Sequence, residues 1–236
     1  MNNKNCDWIK TMPIARGGSY NDELPINSLG AISNAIDNKH PIGISVRISL
    51  DNKCVVYEEE IVGDRRLDQM SLDEIISIKL EDTEYTIPTL EQVLNQVSGR
   101  TPLLVNLPGD KKDFACEKLI LNEFIKYEGD VAFCVDTINA VTYINKNYPN
   151  VLVGQCCVPS SISFNPIKVI KTIKKYKKTK LGKPDFLAFK LADLPNEKVK
   201  KLRKYGITII GYTVLNSEDR KTGNINCDNY VYGRIV

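Results

Sequence analysis

The stretch Pro13-Ile14-Ala15-Arg16-Gly17-Gly18-Ser19-Tyr20-Asn21, followed by Leu24-Pro25-Ile26-Asn27-Ser28-Leu29, is the most telling part of this sequence. Its apolar start reads as a short strand near Met12–Arg16. Gly17-Gly18 give the first βα loop. Ser28 is placed to cap a helix running to about Asn38, with Leu29, Ile32, Ala35 and Ile36 on one face. Strand, glycine turn and capped amphipathic helix make one βα unit.

The same rhythm continues along the chain. Apolar, β-branched runs predict strands at Ile42–Leu50, Thr101–Leu107, Asp130–Val135, Val151–Cys156, Asp185–Lys190, Ile207–Val214 and Asn229–Tyr232. Between them the spacing predicts helices over about Lys112–Tyr127, Ile138–Asn147, Pro166–Lys177 and Asn196–Lys204, the last closed by Gly206. Asp51-Asn52 reads as a turn into a returning strand at Lys53–Glu58. Ser71-Leu72-Asp73-Glu74 has capping-box spacing, and Thr89 opens a further helix. Eight strands separated mostly by helices fit an α/β fold, a single (β/α)8 TIM barrel over residues 1–236, with a small insertion at about 51–87. A Rossmann-type sheet is the alternative, but no GxGxxG follows a strand.

Composition agrees with one α/β unit: 236 residues, 42% hydrophobic and 26% charged. The net charge of +3 is too small to indicate a nucleic-acid partner. A lysine group, Lys168, Lys171, Lys174, Lys175, Lys177, Lys178, Lys180 and Lys183, reads as a solvated helix face. No run approaches the ~18 apolar residues of a membrane span. The polar start, Met1–Met12, lacks the apolar core of a secretory signal. Seven cysteines without CxxC spacing suit a reduced, cytoplasmic protein. Trp8, before the first strand, is expected to plug the barrel bottom. His40, the sole histidine, precedes Pro41 at the start of the second strand, away from the end where TIM barrels place their chemistry.

Taken together, the opening stretch, Asp51-Asn52-Lys53 before Val55-Val56, Ile87-Pro88-Thr89-Leu90, Pro102-Leu103-Leu104-Val105 and Gly211-Tyr212-Thr213-Val214 resemble the glycerophosphodiester phosphodiesterase family. That family opens Pro-Ile-Ala-His-Arg-Gly and continues Pro-Glu-Asn-Ser/Thr-Leu. The resemblance puts its histidine on Arg16, its arginine on Gly17 and the second-motif glutamate on Ile26. The Glu-x-Asp of strand two falls on Gly43 and Ser45, and the second His-Asp pair on Glu58 and Glu59. The later Glu-x-Lys falls on Asn106 and Pro108, and a tryptophan on Tyr212. What the resemblance implies is therefore the barrel of a phosphoric diester hydrolase without its usual acid–base histidines or metal-binding carboxylates.

Phosphodiester cleavage of this kind needs a cation on carboxylate oxygens, an acid–base pair and a phosphate clamp. The first two are missing at the expected positions, so no catalytic residue, resident metal or cofactor is expected. Magnesium or calcium enters only if Glu58, Glu59, Asp110 or Asp136 has rebuilt a site. The replacements suggest a degenerate ligand site instead. Arg16, Gly17, Ser45, Arg47, Glu58, Asn106, Lys190 and Tyr212 are its expected residues. Backbone N–H groups of Gly17-Gly18 are expected to approach an anion. The leading expectation is a non-catalytic protein that binds a phosphorylated small molecule or a glycerophosphate-containing polymer. The alternatives are an active phosphodiesterase with a rebuilt site and a structural scaffold subunit of unknown oligomeric state.

Overall fold

The computed structural model describes residues 7–109, 113–157 and 183–234. Their elements, in chain order, begin with α1 (Trp8–Thr11), β1 (Ile14–Arg16), α2 (Leu29–Asp37), β2 (Ile42–Ile48) and β3 (Cys54–Val56). The hairpin strands β4 (Ile61–Val62) and β5 (Arg65–Arg66) follow, then α3 (Leu72–Ile76), α4 (Leu90–Val97), β6 (Leu103–Asn106) and α5 (Ala115–Glu123). Next come β7 (Val131–Val135), α6 (Ile138–Asn147), β8 (Leu152–Cys157) and β9 (Phe186–Lys190). The chain closes with α7 (Glu197–Lys204), β10 (Thr208–Val214), α8 (Ser217–Asn226) and β11 (Asn229–Tyr232).

Among the described residues, eight parallel strands close in the order β1-β11-β10-β9-β8-β7-β6-β2, with β1 also pairing with β2. This is a (β/α)8 TIM barrel. Alternating side chains divide each strand between two cores. Leu104, Ala132, Leu152, Phe186 and Ile210 fill the barrel interior. Their neighbours Val105, Phe133 and Val153 pack outward against Ile32, Val93, Ile120, Val141 and Ile144 of the helices. Each such burial stabilises by about 1.5–3 kcal/mol. Glycine at position 154 is a packing necessity, since a Cβ there would lie 2.1 Å from the Phe186 ring.

The barrel bottom is closed as expected of Trp8. It and Ile9 are buried against Ile14, Leu152 and Phe186. Asn229 ties this helical turn to β11, donating from Nδ2 to the carbonyls of Ile9 (3.0 Å) and Met12 (2.7 Å).

The insertion builds a core of its own. β3 turns back antiparallel on β2, with Val46 opposite Val56 and Ile48 opposite Cys54. The turn before it holds Asn52 at φ 59°, and Ser49 Oγ accepts from the Lys53 N–H at 2.9 Å. Val55, Leu67, Met70, Ile75, Leu80 and Ile87 then pack together. Ser71 and Glu74 form the expected capping box at the start of α3.

One expected helix differs in extent at both ends. The helix read over Lys112–Tyr127 is shorter, Ala115–Glu123. Phe114 stands at φ 56°, a left-handed residue that cannot continue a helix backwards. At the other end, Phe124 and Ile125 switch to bonds with Leu121 and Asn122, three residues back. The helix over Pro166–Lys177, and every lysine of the cluster except Lys183, lie outside the described residues, as does Asp110.

Candidate functional site

A cavity of about 270 Å³ opens at the C-terminal ends of the barrel strands. Arg16, Gly17, Ser45, Arg47, Glu58, Asn106 and Tyr212 all line it, on five strands and their following loops. Lys190 ends β9 exposed and is not among the lining residues. Glu59 is likewise exposed and absent from the lining. Strand parity accounts for Ser45 and Arg47, which share the inward side of β2 with Gly43.

Arg16 leaves the end of β1 and meets Glu58, which follows β3 in the insertion. Its Nε donates to Glu58 Oε1 at 2.9 Å, and Nη2 lies 2.6 Å from the same oxygen. The two side chains are 33% and 32% exposed, so the pair is reachable by solvent and by solutes. Arg47 is held differently. Its guanidinium donates to the main-chain carbonyls of Glu58 and Glu59, the latter at 3.2 Å, and to the Val46 carbonyl at 3.2 Å. Burial pulls the Arg47 pKa down, while Glu60, Glu59, Glu58 and Asp136 pull it back up. It remains a cation, since arginine does not lose its proton in proteins. Arg47 thus staples the insertion to the rim.

The first loop is tight. Gly17 at φ 63° and Gly18 at φ 91° occupy left-handed backbone, and a Cβ on Gly18 would come within 2.5 Å of the Ala31 main chain. The Gly17 N–H donates to the Gly43 carbonyl at 2.7 Å. That bond joins β1 to β2 and takes the Gly17 N–H, one of the two that were expected to approach an anion.

Asn106 Nδ2 approaches Ser45 Oγ at 3.4 Å, a long contact that leaves both groups polar surface for a solute. Burial raises the Tyr212 hydroxyl pKa, so it faces the cavity as a neutral donor. His40 lies elsewhere, its Nδ1 2.6 Å from the Tyr232 hydroxyl.

Sequence reasoning passed over Asn27, Glu60, Cys134 and Cys156, which also line the cavity. The two cysteines were within reach of strand parity: Cys134 is two residues from the inward Ala132, and Cys156 two from the inward Gly154. Glu60 carried no such signal, because it lies in the loop after β3.

A divalent ion fits these residues poorly. Gly43 and Ser45 stand where the resemblance places two carboxylates. Among the described residues, no three His, Cys, Asp or Glu side chains converge closely enough to hold a metal. Glu58, Glu60 and Asp136 line the cavity without forming such a cluster.

Barrel and mouth together define a (β/α)8 TIM barrel with a polar cavity at the C-terminal ends of its strands. Comparison with solved structures places it more narrowly, in the fold of the glycerophosphodiester phosphodiesterases. The chain superposes on the Oleispira antarctica phosphodiesterase, solved in complex with the product sn-glycerol-3-phosphate, with a TM-score of 0.77 at 16% identity over 95% of this chain and 93% of that one. A glycerophosphodiester phosphodiesterase from Parabacteroides distasonis gives a TM-score of 0.74 at 17% identity, covering 94% and 92%. The Thermotoga maritima enzyme gives 0.71 at 18%, covering 94% and 93%. No protein-family model matches the sequence, and no curated protein matches it. The likeness read from the opening motif is thus borne out in the fold, at identities that leave the chemistry of the mouth to be argued from its own residues.

Proposed function

We propose that this barrel is a glycerophosphodiesterase-like protein whose mouth binds a phosphorylated glycerol or sugar ligand without hydrolysing it by the metal-dependent route. The reading rests on one observation: the strand-end cavity is lined by Arg16, Arg47, Ser45, Asn106 and Tyr212, while glycine and serine occupy the positions of the metal-binding pair on β2. Its support from likeness is limited to fold, in that a protein of the same architecture holds sn-glycerol-3-phosphate.

The lining charges set the expected strength. Two arginines face three carboxylates, Glu58, Glu60 and Asp136. A phosphate therefore has to displace Glu58 from Arg16, exchanging one charge-assisted pair for another. Affinity in the millimolar range, about −4 kcal/mol, is the expectation. The ligand's hydroxyls would meet Ser45, Asn106 and Tyr212.

Calorimetry with glycerol 3-phosphate, glycerophosphodiesters and sugar phosphates tests the binding half. Saturable heat that persists in EDTA and disappears in Arg16→Ala is expected. No heat from any of them at millimolar ligand would sink the proposal. Hydrolysis of glycerophosphocholine with magnesium, calcium, manganese or EDTA tests the other half. The three carboxylates around the mouth favour a second reading, an active phosphodiesterase with a rebuilt site. Metal-dependent turnover that vanishes in an Arg16→Ala, Glu58→Gln double variant would establish that reading in place of ours.

A further inference from the structure

We propose that Cys134 and Cys156 form a dithiol that closes to an intramolecular disulfide inside the barrel mouth when the protein meets a low-molecular-weight disulfide. Both sulfurs belong to the cavity wall, on the neighbouring strands β7 and β8. Cys134 lies opposite Gly154 in the strand register. Because residue 154 has no side chain, the next inward group along β8 is Cys156, and its Sγ lies 3.1 Å from that of Cys134. A disulfide bond is about 2.05 Å long, so closure needs an approach of roughly one ångström. Both residues are free thiols in this structure. The phosphate reading has no use for them, and the inference stands whether or not that reading holds.

Access is unequal, and this sets the order of events. Cys134 is 2% exposed, whereas Cys156 is only half-buried and faces the cavity. The hydrogen bond with Cys156, then burial, holds the Cys134 thiol in its protonated form by raising its pKa well above the ordinary value. Exchange therefore starts at Cys156. Its thiolate attacks one sulfur of the small disulfide, forming a mixed disulfide and releasing the first small thiolate. Cys134 then attacks the Cys156 sulfur, its proton passing to the second departing small thiolate. Two protein thiols are oxidised and one small disulfide is reduced to two thiols. Cys157 does not compete. It follows Cys156 along the strand, faces the other way and packs with Phe189 and Leu191 outside the barrel.

The test is incubation of the full chain with oxidised glutathione, followed by alkylation of remaining thiols and peptide mapping by mass spectrometry. The expected product is one cross-linked pair containing Cys134 and Cys156, released by dithiothreitol. Cys134→Ser should instead accumulate glutathione on Cys156, the intermediate that the wild type resolves. Cys157→Ser should form the cross-link unchanged. A wild-type product with glutathione retained on Cys156 and Cys134 alkylated would overturn the proposal. So would recovery of both residues as alkylated thiols at oxidant levels that modify Cys116, a half-buried thiol on α5.

Discussion

At the scale of single residues, Arg16 carries the most consequence, because its present partner is a competitor for any anion. Glu58 and Arg16 are each about a third exposed, so their pairing contributes at most about 1 kcal/mol. Glu58→Gln removes that competition and one negative charge. Glycerol 3-phosphate is expected to bind about fivefold more tightly, the equivalent of ~1 kcal/mol; unchanged or weaker affinity by calorimetry would mean that Arg16 is not the phosphate contact. Gly43 offers the converse experiment. A Cβ there would meet nothing closer than Ile14 Cγ2 at 3.4 Å, so a side chain can leave the strand toward the mouth. Gly43→Glu with Ser45→Asp places two carboxylates on one side of β2 and should create a response to divalent ions larger than the parent's. Saturating magnesium or calcium, at ~100 times Kd, would then add about 2.7 kcal/mol and raise the melting temperature by several degrees. No shift beyond the parent's with either ion would mean that two carboxylates on β2 do not by themselves make a metal site. Strand parity makes Ser45 and Arg47 legible as mouth residues from the order of amino acids alone, and Asn106 is reached through the family resemblance. It does not reveal that Arg47 spends its guanidinium on the carbonyls of Glu58 and Glu59, because that contact depends on how the insertion folds back over the rim.

At the scale of elements, the legible helices are those with both a cap and an apolar stripe. Ser28 accepts from the Ala31 N–H at 3.0 Å, and the helix behind it buries Ala31, Ile32, Ala35 and Ile36. Thr89 and Gln92 form a full capping box ahead of Leu90, Val93, Leu94 and Val97. The helix α8 has no such legibility. Its sequence, Ser217 to Asn226, has no apolar stripe, and the residue it buries is Gly223. Its start is nonetheless written in the chain, since Asn216 accepts from the N–H groups of Glu218 and Asp219, both at 2.9 Å. The β4–β5 hairpin is hidden for a related reason, as two-residue strands with exposed arginines have no detectable period. Capping also predicts energetics. Ser28 is fully buried, so Ser28→Ala leaves the Ala31 N–H without its acceptor and without water. A loss of about 1–2 kcal/mol in urea unfolding is expected, and a loss below ~0.3 kcal/mol would show that the cap is dispensable.

At the scale of the whole molecule, the barrel separates a closed, apolar bottom from an open, charged mouth, and Trp8 makes the bottom. It is the sole tryptophan of the chain, 4% exposed, and it seals the interior against Ile14, Leu152 and Phe186. The seal is reached by a single helical turn that is too short to be stable alone. Tertiary packing and the two Asn229 hydrogen bonds must therefore hold α1 in place. The indole Nε1 has no hydrogen-bond partner among the described residues, a cost that the apolar contacts outweigh. Two substitutions separate these contributions. Trp8→Ala removes the contacts and opens the floor, and should cost roughly 3–5 kcal/mol. Trp8→Phe keeps much of the volume and deletes the unsatisfied donor, so its cost should stay below about 1.5 kcal/mol. Both variants lack the only tryptophan, so unfolding has to be followed by far-ultraviolet circular dichroism. If Trp8→Ala unfolds within ~1 kcal/mol of the wild type, the N-terminal turn merely rests on the barrel. If Trp8→Phe is as damaging as Trp8→Ala, the indole must have a partner that packing alone does not supply, and the bottom of the barrel is held by more than apolar contact.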